Sequence, residues 1–238
     1  GGADLVAVYS TAIFRMMGLP TLLAWMPYED CNVCVKEMAQ EIIPVVKTAP
    51  CIAGIGAHNP AINLERLMDE MMALGFSGIT NEPFCGLYGE YFSKQLEAAG
   101  IGFPREVELI RTAHQKDIFT VAWAFDAEEA RIMAEAGADV IGAIVGVTSG
   151  GLTGAKEVMT LEKATEEVQK ICLAARSVNP EVFVLTHGGP FADVPTAQYS
   201  VAHSDADGYA AGSSGERMPT EQAVIAITKE YKSIKVSR

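Results

Sequence analysis

Seven short apolar runs that fail to alternate constrain this chain more than any other feature. They are "LVAVYS" (5–10), "CIAGIGA" (51–57), "SGIT" (77–80), "FTVAWAF" (119–125), "VIGAIVG" (140–146), "VFVLT" (182–186) and "GYAAG" (208–212). A strand with one wet face alternates apolar and polar side chains. A run that stays apolar is covered on both faces, as in a parallel sheet wrapped by helices. The segments between the runs carry helical periodicity instead. Val35, Met38, Ile42 and Val46 share one face, as do Leu64, Leu67, Met68 and Met71. Leu161, Ala164, Val168, Ile171 and Ala175 repeat the pattern, and so do Val224, Ile227, Tyr231 and Ile234. "ALGFSGIT" and "AEAGADVIG" each end a helix on glycine and open a strand at once. No linker, low-complexity tract or shift of composition interrupts this, so residues 1–238 form one β/α domain.

Such alternation fits a (β/α)8 barrel or a doubly wound sheet. The doubly wound fold usually carries a glycine fingerprint after its first strand. "GIGAHN" (54–59) begins like one, but Asn59 stands where the third glycine belongs and no P-loop lysine follows. The strand count and the late glycine-rich loops favour the α/β TIM-type barrel. "GGAD" at 1–4 echoes "AGAD" at 136–139, so the chain opens as though at the end of a helix, one β/α unit short. "LVAVYS" is then strand two, and the seven runs are strands two to eight. The first residue is Gly1 rather than Met, so the start of translation is not in view. An upstream segment or another chain is expected to fill the open place of strand one, and a homo-oligomer is expected.

Charge narrows the partners. Lys+Arg 18 against Asp+Glu 30 leaves a net charge of −12, which repels phosphate backbones and anionic membranes. Nucleic acid is therefore not expected, while a small anionic metabolite remains compatible with a local pocket of opposite sign. No apolar run approaches the length of a membrane helix and no secretory signal is visible. The five cysteines are scattered and odd in number. Cys31 and Cys34 form a lone C-x-x-C at a helix start, preceded by two acidic residues. Without a second pair, packing in a reducing, cytoplasmic setting is the expectation.

In a barrel the chemistry stands at the C-terminal ends of the strands. Those ends deliver Tyr9 and Ser10, His58 and Asn59, Asn81 and Glu82, Asp126, the loop "GVTSGGLTGA" (146–155), His187-Gly188-Gly189, and "GSSGER" (212–217). Loops after strands seven and eight commonly hold phosphate, through backbone N–H groups that approach closely where no Cβ intervenes. Gly188, Gly189, Ser213 and Ser214 are the candidate anion cradle, with Tyr9 beside it and Gly150 and Gly151 in a loop that closes over a ligand. Glu82 leaves a buried strand and precedes Pro83. It is the candidate base, or else it pairs with Arg15 or Arg217. His187 is the candidate acid or polarising group, and His58 a further catalytic candidate. Asp126 with Glu129 reads as a helix capping box, His114 and His203 as surface, and Trp25 and Trp123 as packing.

"GGADLVAVYS", "RMMGLPTLLAWMPYEDCN", "GFSGITNEP", "AEAGADVIGAIVGVTSGGLTGA", "THGGP" and "GSSGERMPTE" together resemble the phosphoenolpyruvate hydrolase-like family, also described as a TIM-barrel signal-transduction family. The likeness runs along the whole chain. It implies a TIM barrel and, by the family's name, hydrolysis of a phosphorylated or phosphonylated three-carbon acid. Magnesium is the cofactor that related phosphonopyruvate-processing barrels imply, although no adjacent Asp/Glu pair stands at a strand end to hold it. The competing expectation is a module that senses an anionic metabolite without turnover.

Overall fold

The computed structural model describes residues 1–235. Its sheet comprises β1 (Val6–Val8), β2 (Cys51–Gly54), β3 (Gly78–Thr80), β4 (Phe119–Ala124), β5 (Val140–Ile144), β6 (Phe183–His187) and β7 (Gly208–Tyr209). All neighbours are parallel and the spatial order equals the chain order, with Val6 opposite Cys51 and Ile144 opposite His187. A doubly wound sheet reverses its order partway; this one never does, which is barrel topology. Among the described residues β1 and β7 pair with one partner each, so the barrel is open along one seam.

Around the strands lie α1 (Ser10–Met16), α2 (Cys31–Ile42), α3 (Leu64–Ala73), α4 (Gly89–Ala98), α5 (Phe103–Gln115), α6 (Ala127–Glu135), α7 (Leu161–Val178), α8 (Val194–Ala202) and α9 (Arg217–Lys232). Their starts and stops have local causes. The Asp126 side chain accepts from the Glu129 amide at 2.8 Å, the expected N-cap of α6, while the Glu129 carboxylate reaches one residue further back than a capping box does and accepts from the Phe125 amide at 2.7 Å. Helices α3 and α6 are followed by Gly75 (φ 103°) and Gly137 (φ 95°), a conformation that side chains with a Cβ resist. Gly2 adopts nearly the same angle, φ 92°, so the echo between the chain's start and the end of α6 extends to backbone conformation.

The periodic helix faces are buried where a neighbour exists. Leu64, Leu67, Met68 and Met71 of α3 pack with β2 and β3, and Ala164, Val168, Ile171 and Ala175 of α7 pack against α6 and β5. Inside the barrel, Ile52, Val121 and Val140 form a lower layer, and Phe84, Trp123 and Ile144 an upper one. Helix α9 differs. Its Val224, Ile227 and Tyr231 are 57%, 44% and 67% exposed, because α9 follows the edge strand and no further unit covers it. A second sign of the open seam is electrostatic. The carboxylates of Asp139 and Asp207 each brace the preceding strand, accepting from the amides of Thr120 (2.8 Å) and Val184 (2.7 Å). Asp4 holds the same place in the repeated motif before β1, where no strand among the described residues lies beside it. Among the described residues no helix is long and apolar enough to cross a membrane.

Candidate active site

A cavity of about 670 Å3 runs along the open seam, from Ala3, Asp4, Phe183 and Asp207 at the N-terminal strand ends to the C-terminal rim. Tyr9 follows β1, Glu82 follows β3, Trp123 belongs to β4, His187 ends β6, and Gly212 and Ser213 follow β7; all line it. Arg15 enters from α1 and Trp25 from the 3-10 turn Thr21–Trp25. Arg15 is the one lysine or arginine in this wall among the described residues.

Glu82 is buried, and its Oε2 has no hydrogen-bond partner among the described residues. The same holds for Thr11 Oγ1 and Trp123 Nε1 in the same wall. Buried polar atoms are almost always satisfied, so a group of orphans marks a place that a ligand or water fills. Burial pushes the Glu82 carboxyl up to about 7, against the opposing pull of the Arg15 charge. The pairing alternative for Glu82 fails on geometry. Arg15 is engaged by Glu216, Nε to Oε2 at 2.6 Å and Nη2 to Oε1 at 3.3 Å, and Arg217 is engaged by Glu221 at 2.8 Å. Tyr9 lies near enough that Glu82, after burial, raises its phenol above the ordinary range.

His187 Nδ1 lies 2.7 Å from the Ala210 carbonyl oxygen. A carbonyl can only accept, so Nδ1 carries the hydrogen and Nε2 presents a lone pair. Burial lowers the imidazole to about 4, so the ring is neutral near pH 7. In that state Nε2, one of the groups facing the cavity, is an acceptor. The Trp123 ring holds it from the side, centroids 5.0 Å apart.

The remaining candidates divide. The Gly189 amide donates to the Gly146 carbonyl at 3.0 Å, so it has no hydrogen left for an anion. The amides of Gly188, Ser213 and Ser214 have no acceptor among the described residues. Ser213 lines the cavity with its Oγ 3.4 Å from Thr21 Oγ1, whereas the Ser214 hydroxyl meets Tyr209 at 2.7 Å. Gly150 and Gly151 do not cover the cavity; they pack against α9, where Arg217 donates to the Gly150 carbonyl and Glu221 accepts from Leu152. Only Gly146, Val147 and Thr148 of that loop reach the wall. His58 lies elsewhere, beside Cys31 and Cys85 on a separate cavity of about 250 Å3. Asn81 is structural, bridging the strands through the Trp123 backbone and the buried Glu106. Trp25 and Trp123, expected only to pack, also form cavity wall. All five cysteines are free and buried, and burial pushes the Cys31 and Cys34 thiols up to about 12.

Arg15 and Glu216 were not singled out as site residues from the sequence. A signal existed for Arg15: it is the first basic residue, stands in an apolar stretch, and is followed by no other until Lys36. The donor set does not fit magnesium, which takes an octahedron of oxygens. Among the described residues no group of three His, Cys, Asp or Glu side chains is placed to hold a metal ion, and Glu216 is occupied by Arg15.

The model of the phosphoenolpyruvate hydrolase-like family matches residues 1–234. The chain belongs to that family. Over 235 residues it is 40% identical to the ToMV susceptible protein tm-1(GCR26) and, equally, to the ToMV resistance protein Tm-1(GCR237), both of Solanum lycopersicum. Each alignment covers 98% of this chain and 31% of the relative, so this family member spans about a third of the length of the curated relatives it matches. A solved protein of Burkholderia cenocepacia J2315, provisionally described as a lyase/mutase, superposes with TM-score 0.58 at 15% identity. That match covers 98% of this chain and 77% of the other, and it shows the barrel fold alone.

Proposed function

We propose that the chain is a TIM-barrel enzyme acting on a small phosphorylated or phosphonylated carboxylic acid, by hydrolysis or related lyase chemistry. The observation that carries this is Glu82, a buried carboxyl at a strand end with an unpartnered oxygen and a pKa near 7. Proton transfer is most effective when the group titrates close to the working pH. Glu82 takes a proton from a water or from a substrate carbon and returns it later. Arg15 supplies the positive charge that draws a small anion into a strongly acidic protein. Ser213 lines the cavity and its amide has no acceptor among the described residues, so it offers a donor to the phosphoryl oxygens. His187, neutral with Nε2 bare, accepts a hydrogen bond from water or a substrate hydroxyl. No step is routed through a metal.

A second reading is a metabolite-binding module without turnover. It is favoured by the absence of a three-residue metal group among the described residues, and by relatives named for virus susceptibility and resistance. One experiment separates the two. Purified protein is incubated with phosphoenolpyruvate and with phosphonopyruvate, with and without magnesium, while phosphate and pyruvate release are followed. Multiple turnover is expected. Saturable binding with no product would replace the enzyme by the sensor.

A further inference from the structure

The ion pair between Arg15 and Glu216 occupies the cavity itself. Arg15 is nearly inaccessible, with 8% of its side chain exposed, while Glu216 is 34% exposed. Its carboxylate grips the guanidinium side-on, through Nε and Nη2, which is the geometry in which arginine recognises a carboxylate ligand. Both residues line the cavity that holds Glu82 and His187. Glu216 immediately precedes α9, yet its side chain caps no amide of that helix. Arg15 is thus the group to which Glu216 is bound.

We infer that Glu216 is an internal stand-in for the substrate carboxylate, and that an incoming carboxylic acid displaces it from Arg15. The exchange keeps two N–H···O bonds on the guanidinium, so Arg15 is never left buried without a counter-charge, the costly alternative. What differs between the two states is the carboxylate released. Glu216, one-third exposed, returns to water, and it belongs to the loop carrying Ser213 and Ser214. Arrival of the carboxylate therefore frees the loop whose amides await the phosphoryl group.

This inference rests on the proposed phosphorylated-acid substrate, and binding titrations of the 238-residue chain separate the two. Wild type and Glu216→Gln are titrated with pyruvate, phosphoenolpyruvate and inorganic phosphate, with thermal melts to verify folding. Losing the internal competitor should tighten both carboxylates about tenfold, whereas inorganic phosphate tightened as strongly would make Arg15 a general anion site and overturn the carboxylate latch. If Glu216→Gln does not fold, Glu216→Asp, too short to grip side-on, should show the same direction. Phosphoenolpyruvate binding that is identical in wild type and variant overturns the latch and leaves the proposed function standing. Tighter pyruvate with no binding of either phosphorylated probe supports the latch and overturns the phosphorylated-acid substrate. No binding of any probe to any variant overturns both.

Discussion

Burial first, with a smaller push from the Glu216 carboxylate, moves the Glu82 carboxyl to about 7 against the pull of Arg15 and the Thr11 hydroxyl, and its Oε2 has no hydrogen-bond partner among the described residues. As a base it works when ionised, so the rate should rise with pH through about 7. Glu82→Gln should lower turnover by about 10²–10⁴-fold and remove that pH dependence. Because no direct ion pair is broken, the variant should melt no lower than wild type at pH 8, where wild type must ionise a buried acid. A variant with full activity and an unaltered pH profile would take Glu82 out of the mechanism. His187 is the complementary case. Its Nδ1–H donates to the Ala210 carbonyl, and that hydrogen bond, rather than a charge, orients its Nε2.

At the scale of an element, the turn after β6 is fixed by its own backbone before any ligand arrives. Gly188 adopts φ 81°, and a Cβ there would overlap the Gly146 carbonyl oxygen. Gly189 adopts φ 52° and a Cβ would sit 2.9 Å from the Val145 carbonyl oxygen. Gly188→Ala should therefore cost about 1 kcal/mol or more of stability, seen as a lower melting temperature whether or not phosphate is present. An unchanged melt combined with weaker phosphate binding would reverse this and make the glycine a ligand contact first. The same logic explains why a loop of four glycines at 146–155 does not close the site: Arg217 and Glu221 tie its middle to α9.

For the whole molecule the buried acids set the pH response. Glu82, Glu106 and Glu129 are each raised to about 7, in every case first by burial. A carboxyl raised from an unfolded value near 4.5 holds its proton in the folded state, so its contribution is full below 4.5 and is lost as pH rises through 7. His187 and His58, lowered by burial, act oppositely and favour folding as pH rises toward 6.5. Three carboxyls outnumber two imidazoles, and the −12 net charge adds repulsion at higher pH. The melting temperature should fall between pH 5 and pH 8, at about 2–4 °C per kcal/mol for a chain of this size. Glu106→Gln should flatten part of that slope. A melting temperature that rises across the range would mean these acids are ionised in the folded protein.

Periodicity determines the elements here because burial acts on every residue of a run. Runs apolar on both faces became β1 to β7, and Leu64 to Met71 became a buried helix face, since each pattern has one geometry that hides it. The barrel order and the open seam followed too, from the repeated "GAD" and the strand count. Strand-end positions were legible for Glu82 and His187, because parallel topology gathers all C-terminal ends on one rim. What a side chain does on that rim was not legible. His58 ends up on another cavity, the Gly189 amide bonds within the fold, and α9 leaves its apolar face uncovered. Arg15 and Glu216 lie 201 positions apart and meet only when the first and last β/α units face one another across the seam. Partner, burial and proton affinity depend on distances between remote segments, and those distances exist only once the sheet has curled.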